Sequence, residues 1–382
     1  MLYLMSTEAM KKRVVMAMSG GVDSSTAAWL LKEMGYEVIG ATMCIGTMDS
    51  TSSGPARCCS LADIEDARRV ALQLEIPFHV FHLRDEFEKE IIQYFCDEYM
   101  KGRTPNPCIL CNERVKFGSF LRKALDLGAH YMATGHYAKL EFDERRKEYL
   151  LKKGVDRRKD QSYVLFSLTQ DQLHYSLFPL GEYRKEEVRQ RAFQLGLRVH
   201  DKPESQEVCF IQDTSYHSFL QERLGESIEP GPIIDQQGHV LGRHQGIPFY
   251  TIGQRRGLRL AKGRPLYVVG IDRMRNALIV GDEEEVYAHT FTVDSASRIN
   301  SWEMNSSFSA QVKIRYNHPG SEAVVTPKGR EELEVKFKIP QKAITPGQAA
   351  VFYEGEKVIG GGWIKEVFKS SECGVRSSES RT

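Results

Sequence analysis

A glycine-rich turn near the N-terminus is the feature that most constrains the fold of this chain. The turn, Ser19-Gly-Gly-Val-Asp-Ser-Ser25, follows an apolar run over 13–18 and precedes a helical pattern that ends at Gly35. Short apolar runs with β-branched residues are typical of buried strands. Glycines let a backbone approach an anion closely, and the N–H groups at a helix N-terminus point at it. The pattern therefore predicts a strand, a phosphate-binding turn and a helix, in that order.

This turn differs from a Walker P-loop. A Walker loop has the pattern GxxxxGK followed by Ser or Thr, and no lysine follows the glycines here. Asp23 is expected instead to help hold a magnesium ion bound to the phosphates. The alternative is a tight turn that only packs a helix against a sheet. That interpretation would fit an isolated Ser-Gly-Gly, but it fits the complete segment 19–25 less well.

The next segment predicts how the sheet is built. Residues 37–43 form a second strand-like run, so strand, helix and strand make a βαβ unit and the sheet is parallel. Ligands of such sheets bind beyond the carboxyl ends of the strands. Met43 is therefore expected to pack against an adenine ring, with simple core packing as the alternative.

Length and composition limit the remaining possibilities. A chain of 382 residues is too long for one ordinary domain, and its net charge of +1 does not by itself indicate a nucleic-acid partner. The sequence has no apolar run long enough for a membrane helix, and the charges near the N-terminus follow the apolar residues, unlike a secretion signal. We expect a cytoplasmic protein whose eight cysteines are reduced.

Two cysteine segments are candidates for chemistry. Cys108 and Cys111 are expected to leave a stiff, proline-containing loop and enter a helix over 112–127, where a helix N-terminus lowers a thiol pKa. The alternative is half of a zinc site, although no second CxxC or CxxxH follows. Cys209 stands in an apolar run, so a buried inert thiol is its alternative. No role is assigned to a remaining group of cysteines: Cys44, Cys58, Cys59 and Cys373.

The second half of the chain changes character. Short segments with glycine turns begin near residue 231, and alternating strand patterns over about 285–369 predict a small β-barrel. We therefore predict an α/β domain, with a parallel sheet flanked by helices, followed by a small central domain, a C-terminal β-barrel and a disordered serine-rich tail. The expected bounds are 1–212, 213–283, 284–368 and 369–382.

Motifs along the chain carry a family resemblance. They are, in order, SGGVDSS, GRTPNPCILCNERVKF, ATGHYAKL, KDQSYVL, SQEVCFI, YTIGQRRGL and TPGQAAVFY. The first resembles the PP-loop of the ATP pyrophosphatases, which cleave ATP between the α- and β-phosphates and adenylate a carbonyl oxygen. The whole set, over roughly 12–366, closely resembles the bacterial tRNA-specific 2-thiouridylase family. The resemblance implies a PP-loop domain in which ATP and Mg²⁺ are used to replace the C2 oxygen of a tRNA wobble uridine with sulfur.

The resemblance also implies residue roles. The implied ATP-binding residues are Ala17, Met18, Ser19, Gly20, Gly21, Val22, Asp23, Ser24, Met43 and Gly135. The implied tRNA-binding residues are Asn106, Pro107, Cys108, His136, Lys159, Asp160, Gln161, Arg315, Tyr316 and Gln348, and the central domain is implied to bind tRNA as well. Cys111 matches the catalytic thiol, and Cys209 matches the cysteine that receives sulfur as a persulfide from a desulfurase or sulfur-relay protein. Cys108 departs from the family, because other members have Asp there.

Two sulfur routes stay open at this point. In the first, Cys209 supplies persulfide sulfur, Cys111 releases it, and a Cys111–Cys209 disulfide is left to be reduced. In that route Cys108 could handle the proton that Asp handles elsewhere. In the second, Cys108, Cys111 and Cys209 hold a 4Fe–4S cluster whose open iron carries sulfide.

Three other functions compete with thiolation. Another PP-loop adenylating enzyme, such as an argininosuccinate or GMP synthetase, would not need two remote thiols. A non-catalytic RNA-binding protein would not need the PP-loop. A redox or metal-storage role would use the cysteines alone.

Overall fold

The computed structural model of the chain describes residues 12–46, 61–203, 208–211, 215–260, 263–297, 299, 306–329 and 331–368. Two compact units make up the chain. The first consists of Met1–Gln93, Pro107–Asp213 and Glu356–Val358, and the second of Tyr94–Asn106, Thr214–Gly355 and Ile359–Thr382. The serine-rich tail predicted over 369–382 lies outside the described residues, as do Cys58, Cys59 and Cys373.

A parallel sheet forms the centre of the first unit, as predicted. Its strands are β1 Arg13–Ala17, β2 Glu37–Cys44, β3 Phe78–His82, β4 Tyr131–Ala133 and β7 Ser176–Leu177. Their order across the sheet is β3-β2-β1-β4-β7. Val14, Val15 and Met16 of the central strand are fully buried. A strand buried on both faces is expected where helices cover both sides of a parallel sheet.

The helices include the one predicted after the glycine-rich turn, which ends just before Gly35. They are α1 Val22–Glu33, α2 Leu61–Gln73, α3 Arg84–Phe87, α4 Gln93–Met100, α5 Pro107–Leu110, α6 Leu121–Asp126, α7 Gln170–His174, α8 Lys185–Gln194 and α9 Tyr216–Leu224. Two π-helical segments, Glu88–Ile92 and Cys111–Phe120, continue α3 into α4 and α5 into α6. Short 3₁₀ turns lie at Ser162–Leu165, Gly225–Ser227, Ile247–Phe249 and Glu283–Val286. None of the helices in the described ranges has the length and hydropathy needed to cross a bilayer.

The helix that bears Cys108 and Cys111 begins earlier than the sequence suggested. We expected a stiff loop up to residue 112, but the helix starts at Pro107. A proline is favoured at the first helical position, because its missing N–H would have no partner there and its φ already suits a helix. Cys108 therefore lies in the first helical turn, and Cys111 opens the π-helical segment.

The second unit contains a small sheet and a barrel. The small sheet has the order β10-β11-β8-β9. Its strands are β8 Gly231–Ile234, β9 Val240–His244, β10 Tyr267–Asp272 and β11 Ala277–Gly281. The barrel strands are β12 Tyr287–Ser297, β13 Phe308–Lys313, β14 Ser321–Pro327, β15 Leu333–Lys342, β16 Ala349–Glu354 and β17 Lys357–Phe368. A further hairpin, β5 Ala138–Asp143 and β6 Glu148–Lys153, belongs to the first unit.

The barrel is closed and antiparallel, which confirms the prediction of a C-terminal β-barrel. Its strands run β12-β15-β14-β13-β16-β17, and β17 pairs again with β12. Phe291, Val335 and Phe337 alternate with outward-facing residues and fill its centre. Burying an aromatic or aliphatic side chain of this size contributes roughly 1.5–3 kcal/mol.

Candidate nucleotide and thiol site

A cavity of about 240 Å³ lies at the carboxyl ends of the parallel strands of the first unit. It is lined by Ala17, Met18, Ser19, Asp23, Ser24, Ala41, Thr42, Met43, Lys116, Phe120, Thr134, Gly135, His136 and Gln161. Ligands of parallel α/β sheets bind at these strand ends. The cavity thus collects Ala17, Met18, Ser19, Asp23, Ser24, Met43 and Gly135 from the predicted ATP-binding set.

The glycine-rich turn presents free backbone donors beside this cavity. Within the described residues, the N–H groups of Gly21, Val22 and Asp23 have no acceptor. The hydroxyls of Ser24 and Ser25 donate to the Gly21 carbonyl at 3.2 and 2.9 Å, and so hold the turn open. Successive unpaired N–H groups at the start of α1 form an anion-binding cradle.

Asp23 is paired with a buried lysine that sequence reasoning missed. Lys185 Nζ, at the start of α8, lies 2.7 Å from both Asp23 carboxylate oxygens, and Tyr137 Oη donates to Oδ1 at 2.6 Å. Lys185 is only 5% exposed. It is 162 residues from Asp23 in sequence, so no local motif could have indicated it. Lys185 is not among the residues that line the cavity, so its link to the candidate site runs through Asp23.

The lining of the cavity is compatible with a magnesium ion bound mainly by phosphates. Asp23 provides the carboxylate among the described lining residues. Magnesium usually binds through one or two carboxylates together with substrate phosphates. Asp23 is therefore the residue that would hold Mg²⁺, in competition with Lys185.

Gly135 allows the turn after β4 to approach the glycine-rich turn closely. A Cβ atom at this position would lie 3.0 Å from Ser24 N and 3.1 Å from the Asp23 carbonyl carbon. Both are backbone atoms at the start of a helix and cannot move aside easily. A larger residue at 135 would push the two turns apart and reshape the cavity.

His136 is buried in the same wall and is neutral. Its Nδ1 lies 2.7 Å from Thr134 Oγ1. Burial, and secondarily the nearby Lys116 charge, holds the pKa of His136 well below its ordinary value. Gln161 also lines the cavity, where its Oε1 accepts from Tyr137 N at 3.0 Å. Two residues expected to contact tRNA therefore lie in the candidate nucleotide site.

The three candidate thiols belong to the first unit, and two of them are exposed. Cys108 and Cys209 are exposed, and Cys111 is buried. Exposure of Cys209 excludes the buried inert thiol considered as its alternative. Phe210, next to it, packs edge to face on Phe87 with centroids 5.9 Å apart, and so anchors the Cys209 segment on α3.

The expected low pKa of Cys108 is wrong. Although part of its surface is exposed, the protein surrounding its sulfur raises the pKa of the Cys108 thiol, and the neighbouring Cys209 raises it further. Lys116 acts in the opposite direction but does not outweigh them. Desolvation of a thiolate here exceeds the benefit of a helix N-terminus.

The thiols do not form a metal-binding set. No group of three or more His, Cys, Asp or Glu side chains among the described residues could hold a metal ion. Cys108, Cys111 and Cys209 lie within the described residues, so as they are placed here they do not form such a group.

Two neighbours in the predicted tRNA-binding set have different surroundings. Asp160 is buried, and its carboxylate accepts from Gly154 N, Ser162 N and Ser162 Oγ at 3.0–3.1 Å. These bonds hold the turn between β6 and the following 3₁₀ helix. Lys159 is half-buried, and its backbone N–H donates to Asp156 O at 3.0 Å.

Other members of that set belong to the second unit. Arg315 is exposed and donates to Lys342 O at 3.1 Å, and Tyr316 is half-buried. Gln348 Nε2 donates to Thr104 O at 2.9 Å, so it fastens the segment that leads to Asn106. Asn106 is half-buried and closes this segment, whereas Pro107 is buried and opens α5 in the first unit.

The fold and the site together define a class. A parallel sheet with a glycine-rich anion cradle after β1 and a cavity at its strand ends is a nucleotide-binding α/β domain. Family models agree with this class. The model described as tRNA methyl transferase HUP domain matches residues 12–213, the tRNA methyl transferase PRC-barrel domain matches 217–282, and the aminomethyltransferase beta-barrel domain matches 288–364.

Curated relatives define the family. The chain is 49% identical over 357 residues to the tRNA-specific 2-thiouridylase of Acetivibrio thermocellus, covering 93% of this chain and 99% of that one. It is 50% identical over 358 residues to that of Carboxydothermus hydrogenoformans, covering 93% and 98%. The chain belongs to the tRNA-specific 2-thiouridylase family. A solved U34-tRNA thiolase from Methanococcus maripaludis with a 4Fe–4S cluster matches at 19% identity over 58% of this chain and 70% of that one, with a TM-score of 0.34, which is too distant to support any argument.

Proposed function

We propose that this protein replaces the C2 oxygen of the wobble uridine of tRNA with sulfur, at the expense of ATP. The observation that supports this best is the position of Lys116. It lines the cavity beside the anion cradle, and its charge also acts on Cys108. One cation is therefore shared between the candidate nucleotide site and the candidate thiols. The names of relatives about 50% identical to the chain support the same reaction.

The first proposed step activates the uridine. An oxygen on C2 is a poor leaving group until it is adenylated. The C2 oxygen attacks the α-phosphorus of ATP, the bond to pyrophosphate breaks, and the uridine becomes an O-adenylate. The N–H groups of Gly21, Val22 and Asp23, which have no acceptor in the described structure, would stabilise the negative charge that develops on the phosphates. Mg²⁺, held by Asp23, would supply further charge neutralisation to pyrophosphate.

The second proposed step transfers sulfur. Cys209 receives a sulfur atom as a persulfide from a cysteine desulfurase or a sulfur-relay protein. The terminal sulfur attacks C2, and AMP leaves with the original oxygen. The Cys111 thiolate then attacks the Cys209 sulfur, which breaks the S–S bond and leaves sulfur on C2. The products are 2-thiouridine and a Cys111–Cys209 disulfide. Two electrons from a cellular thiol reductant then convert the disulfide back to two thiols.

Cys108 does not act as a nucleophile in this scheme. Its raised pKa keeps the thiol protonated near neutral pH, and a protonated thiol is a poor nucleophile. We propose proton handling for Cys108 only because it stands where the family has Asp. The raised pKa does not favour that role, because a general acid or base works best with a pKa near the working pH.

The proposed substrate must bring its base into the first unit. A wobble base has to be extruded before it can be modified, and loop bases are read by shape, stacking and edge contacts. The residues proposed to contact the tRNA are Asn106, Pro107, Lys159, Arg315 and Tyr316. We further propose that the enzyme works in the cytoplasm.

Reconstitution tests this proposal. Purified protein, tRNA, ATP, Mg²⁺ and a persulfide donor should yield 2-thiouridine, measured by mass spectrometry of the wobble nucleoside. Cys111→Ser and Cys209→Ser should each abolish the product while ATP binding persists. Cys96→Ala is the matched control, because Cys96 is a buried thiol of α4 with no proposed role.

Two results would contradict the proposal. Full thiolation by Cys111→Ser or Cys209→Ser would remove the thiols from the mechanism. Pyrophosphate release that does not depend on tRNA would favour another PP-loop adenylating enzyme, and binding of tRNA without any pyrophosphate release would favour an RNA-binding protein.

A further inference from the structure

Lys202 connects the glycine-rich turn to the start of α2. Its Nζ lies 2.8 Å from Asp63 Oδ1, 2.7 Å from Asp66 Oδ2 and 3.1 Å from the backbone oxygen of Gly20. Gly20 is 182 residues away in sequence, so the contact exists only in the folded chain. Nothing in the proposed reaction uses Lys202.

The contact with Gly20 fixes the direction of one peptide group. The Gly20 carbonyl and the Gly21 N–H belong to the same trans peptide, and in such a peptide they point in opposite directions. Because the carbonyl is directed at Lys202, the Gly21 N–H is directed away from Lys202. That N–H is one of the cradle donors without an acceptor in the described structure.

Lys202 is occupied and so is not itself a phosphate ligand. An ammonium group has three N–H donors, and Lys202 has three acceptors within hydrogen-bonding distance. Partial burial works to lower the pKa of Lys202, but the bonds to Asp63 and Asp66 outweigh it and raise that pKa. The lysine is therefore charged at neutral pH and neutralises part of the carboxylate charge behind the turn.

We infer that Lys202 is a positioning residue for phosphate binding. It holds the Gly20–Gly21 peptide with its N–H turned away from the lysine and into the cradle, and it offsets the negative charge of Asp63 and Asp66, which would otherwise repel an anionic ligand. This inference rests on the proposed use of ATP by this site. Loss of Lys202 should weaken ATP binding through the phosphates and leave contacts to the nucleoside unchanged.

Comparing ATP with adenosine isolates this role. Dissociation constants for both ligands are measured by calorimetry on the full chain. In Lys202→Met, affinity for ATP should fall about tenfold or more, the range expected when a charge-assisted hydrogen bond is lost. Affinity for adenosine should stay within about twofold of wild type, since it has no phosphate. Lys202→Arg should recover most of the ATP affinity.

Lys32 offers a matched control in the same unit. Its Nζ also donates to a backbone oxygen, that of Leu74, at 2.6 Å, and it pairs with Glu75 at 3.8 Å. It lies in the last turn of α1, away from the glycine-rich turn. Lys32→Met should bind ATP and adenosine as wild type does. If Lys202→Met does not fold, Lys202→Gln serves in its place, with an intermediate loss of ATP affinity expected.

The inference is overturned if the Lys202 variants bind ATP as tightly as wild type. It is equally overturned if ATP and adenosine lose affinity by the same factor, because that pattern indicates general damage to the site. The thiolation assay is separate. A wild-type protein that binds ATP but never thiolates tRNA contradicts the proposed function, while the ATP and adenosine comparison still decides the role of Lys202.

Discussion

At the scale of single residues, the pairing of Asp23 with Lys185 sets the charge of the candidate nucleotide site. A buried lysine without a counterion is costly, because the ammonium has lost its water. The two hydrogen bonds of 2.7 Å to Asp23 compensate for that loss. Asp23 thus has two expected duties, to stabilise Lys185 in the absence of ligand and to hold magnesium when ATP is bound.

Replacing Asp23 by alanine should abolish thiolation, because the magnesium–pyrophosphate group loses its protein carboxylate. The variant should also lose roughly 1–3 kcal/mol of unfolding free energy, since Lys185 loses the carboxylate of Asp23 beside a partly exposed site. Single-turnover thiolation and urea unfolding measure the two effects. Tyr137→Phe, which removes one hydrogen bond of 2.6 Å and keeps the ion pair, should retain most activity. Near-normal turnover in Asp23→Ala would contradict the assignment.

His136 should make stability depend on pH. Burial lowers its pKa in the folded chain, so the unfolded chain takes up a proton first as pH falls below about 6.5. The stability that the neutral imidazole contributes is present above that pH and is lost as pH falls toward the folded pKa. The loss can reach about 1.4 kcal/mol per pH unit.

Urea unfolding of wild type and His136→Phe between pH 7.5 and 5.5 checks this expectation. The difference in unfolding free energy should shift in favour of the phenylalanine variant as pH falls. Other histidines with lowered pKa values, His217, His244 and His318, are present in both proteins, so their effects cancel. Parallel curves across the whole range would show that His136 does not titrate as proposed.

At the scale of elements, the glycine-rich turn depends on the conformation of Gly20. Its φ of +72° lies in the left-handed region, and a Cβ atom there would meet Asp63 O at 2.3 Å. Gly196, which follows α8, has a similar φ of +64° but no atom within 4 Å of a built Cβ. The two positions therefore separate backbone strain from steric collision.

Gly196→Ala should cost about 1 kcal/mol of stability and leave ATP binding unchanged. Gly20→Ala has the same left-handed backbone strain, and its Cβ atom also collides with the backbone oxygen of Asp63. The turn must therefore move, and ATP binding should be lost. Calorimetric titration with ATP, after both variants are shown to be folded by circular dichroism, measures the difference. Equal ATP affinity in the two variants would mean that the turn tolerates displacement.

Element type could be predicted from local pattern, but the position of helix ends and distant partners could not. The helical pattern that ends at Gly35 was confirmed as α1, because helix and turn signals are properties of neighbouring residues. The start of α5 was misplaced because Pro107 suits both a rigid loop and a first helical turn. Lys185 and Lys202 could not be foreseen, since each contacts the glycine-rich turn only through the folded sheet.

In the candidate site, too, features set by neighbouring residues could be predicted, and features set by distant segments could not. Met43 and Gly135, both predicted to bind ATP, line the cavity at the strand ends of the parallel sheet. Their ligand contacts stay predictions. The pKa of Cys108 was predicted in the wrong direction, because the crowding around a thiol depends on segments that a local motif does not include.

At the scale of the whole molecule, basic residues outside the nucleotide site should govern tRNA affinity. The net charge of the chain is only +1, so binding to an anionic RNA relies on local clusters. Arg255 and Arg256 are exposed, and the charge of Arg255 also acts on Glu283. Lys159 and Arg315 are further expected contacts.

Affinity for tRNA should therefore fall as salt rises, because bound counterions are released from phosphates. Neutralising both arginines in Arg255→Gln/Arg256→Gln should reduce the slope of log affinity against log salt by about 1–2. Lys338→Gln is the control, since Lys338 is already paired with Glu322 on the barrel. Filter binding between 50 and about 300 mM salt supplies the slopes, and a flat wild-type curve would exclude a phosphate-driven interface.

The closure of the barrel also bears on how the protein behaves when it is concentrated. Sheets with open edges expose unpaired N–H and C=O groups that recruit strands from other molecules. Here β17 pairs with β12 along Thr290–Ser297 and also lies beside β16. The edges of β12 and β16 that face β17 therefore have a partner strand. A chain cut before β17 would expose β12 and β16 at once. Such a fragment is expected to polymerise through strand exchange, whereas the intact barrel offers other molecules no open strand edge.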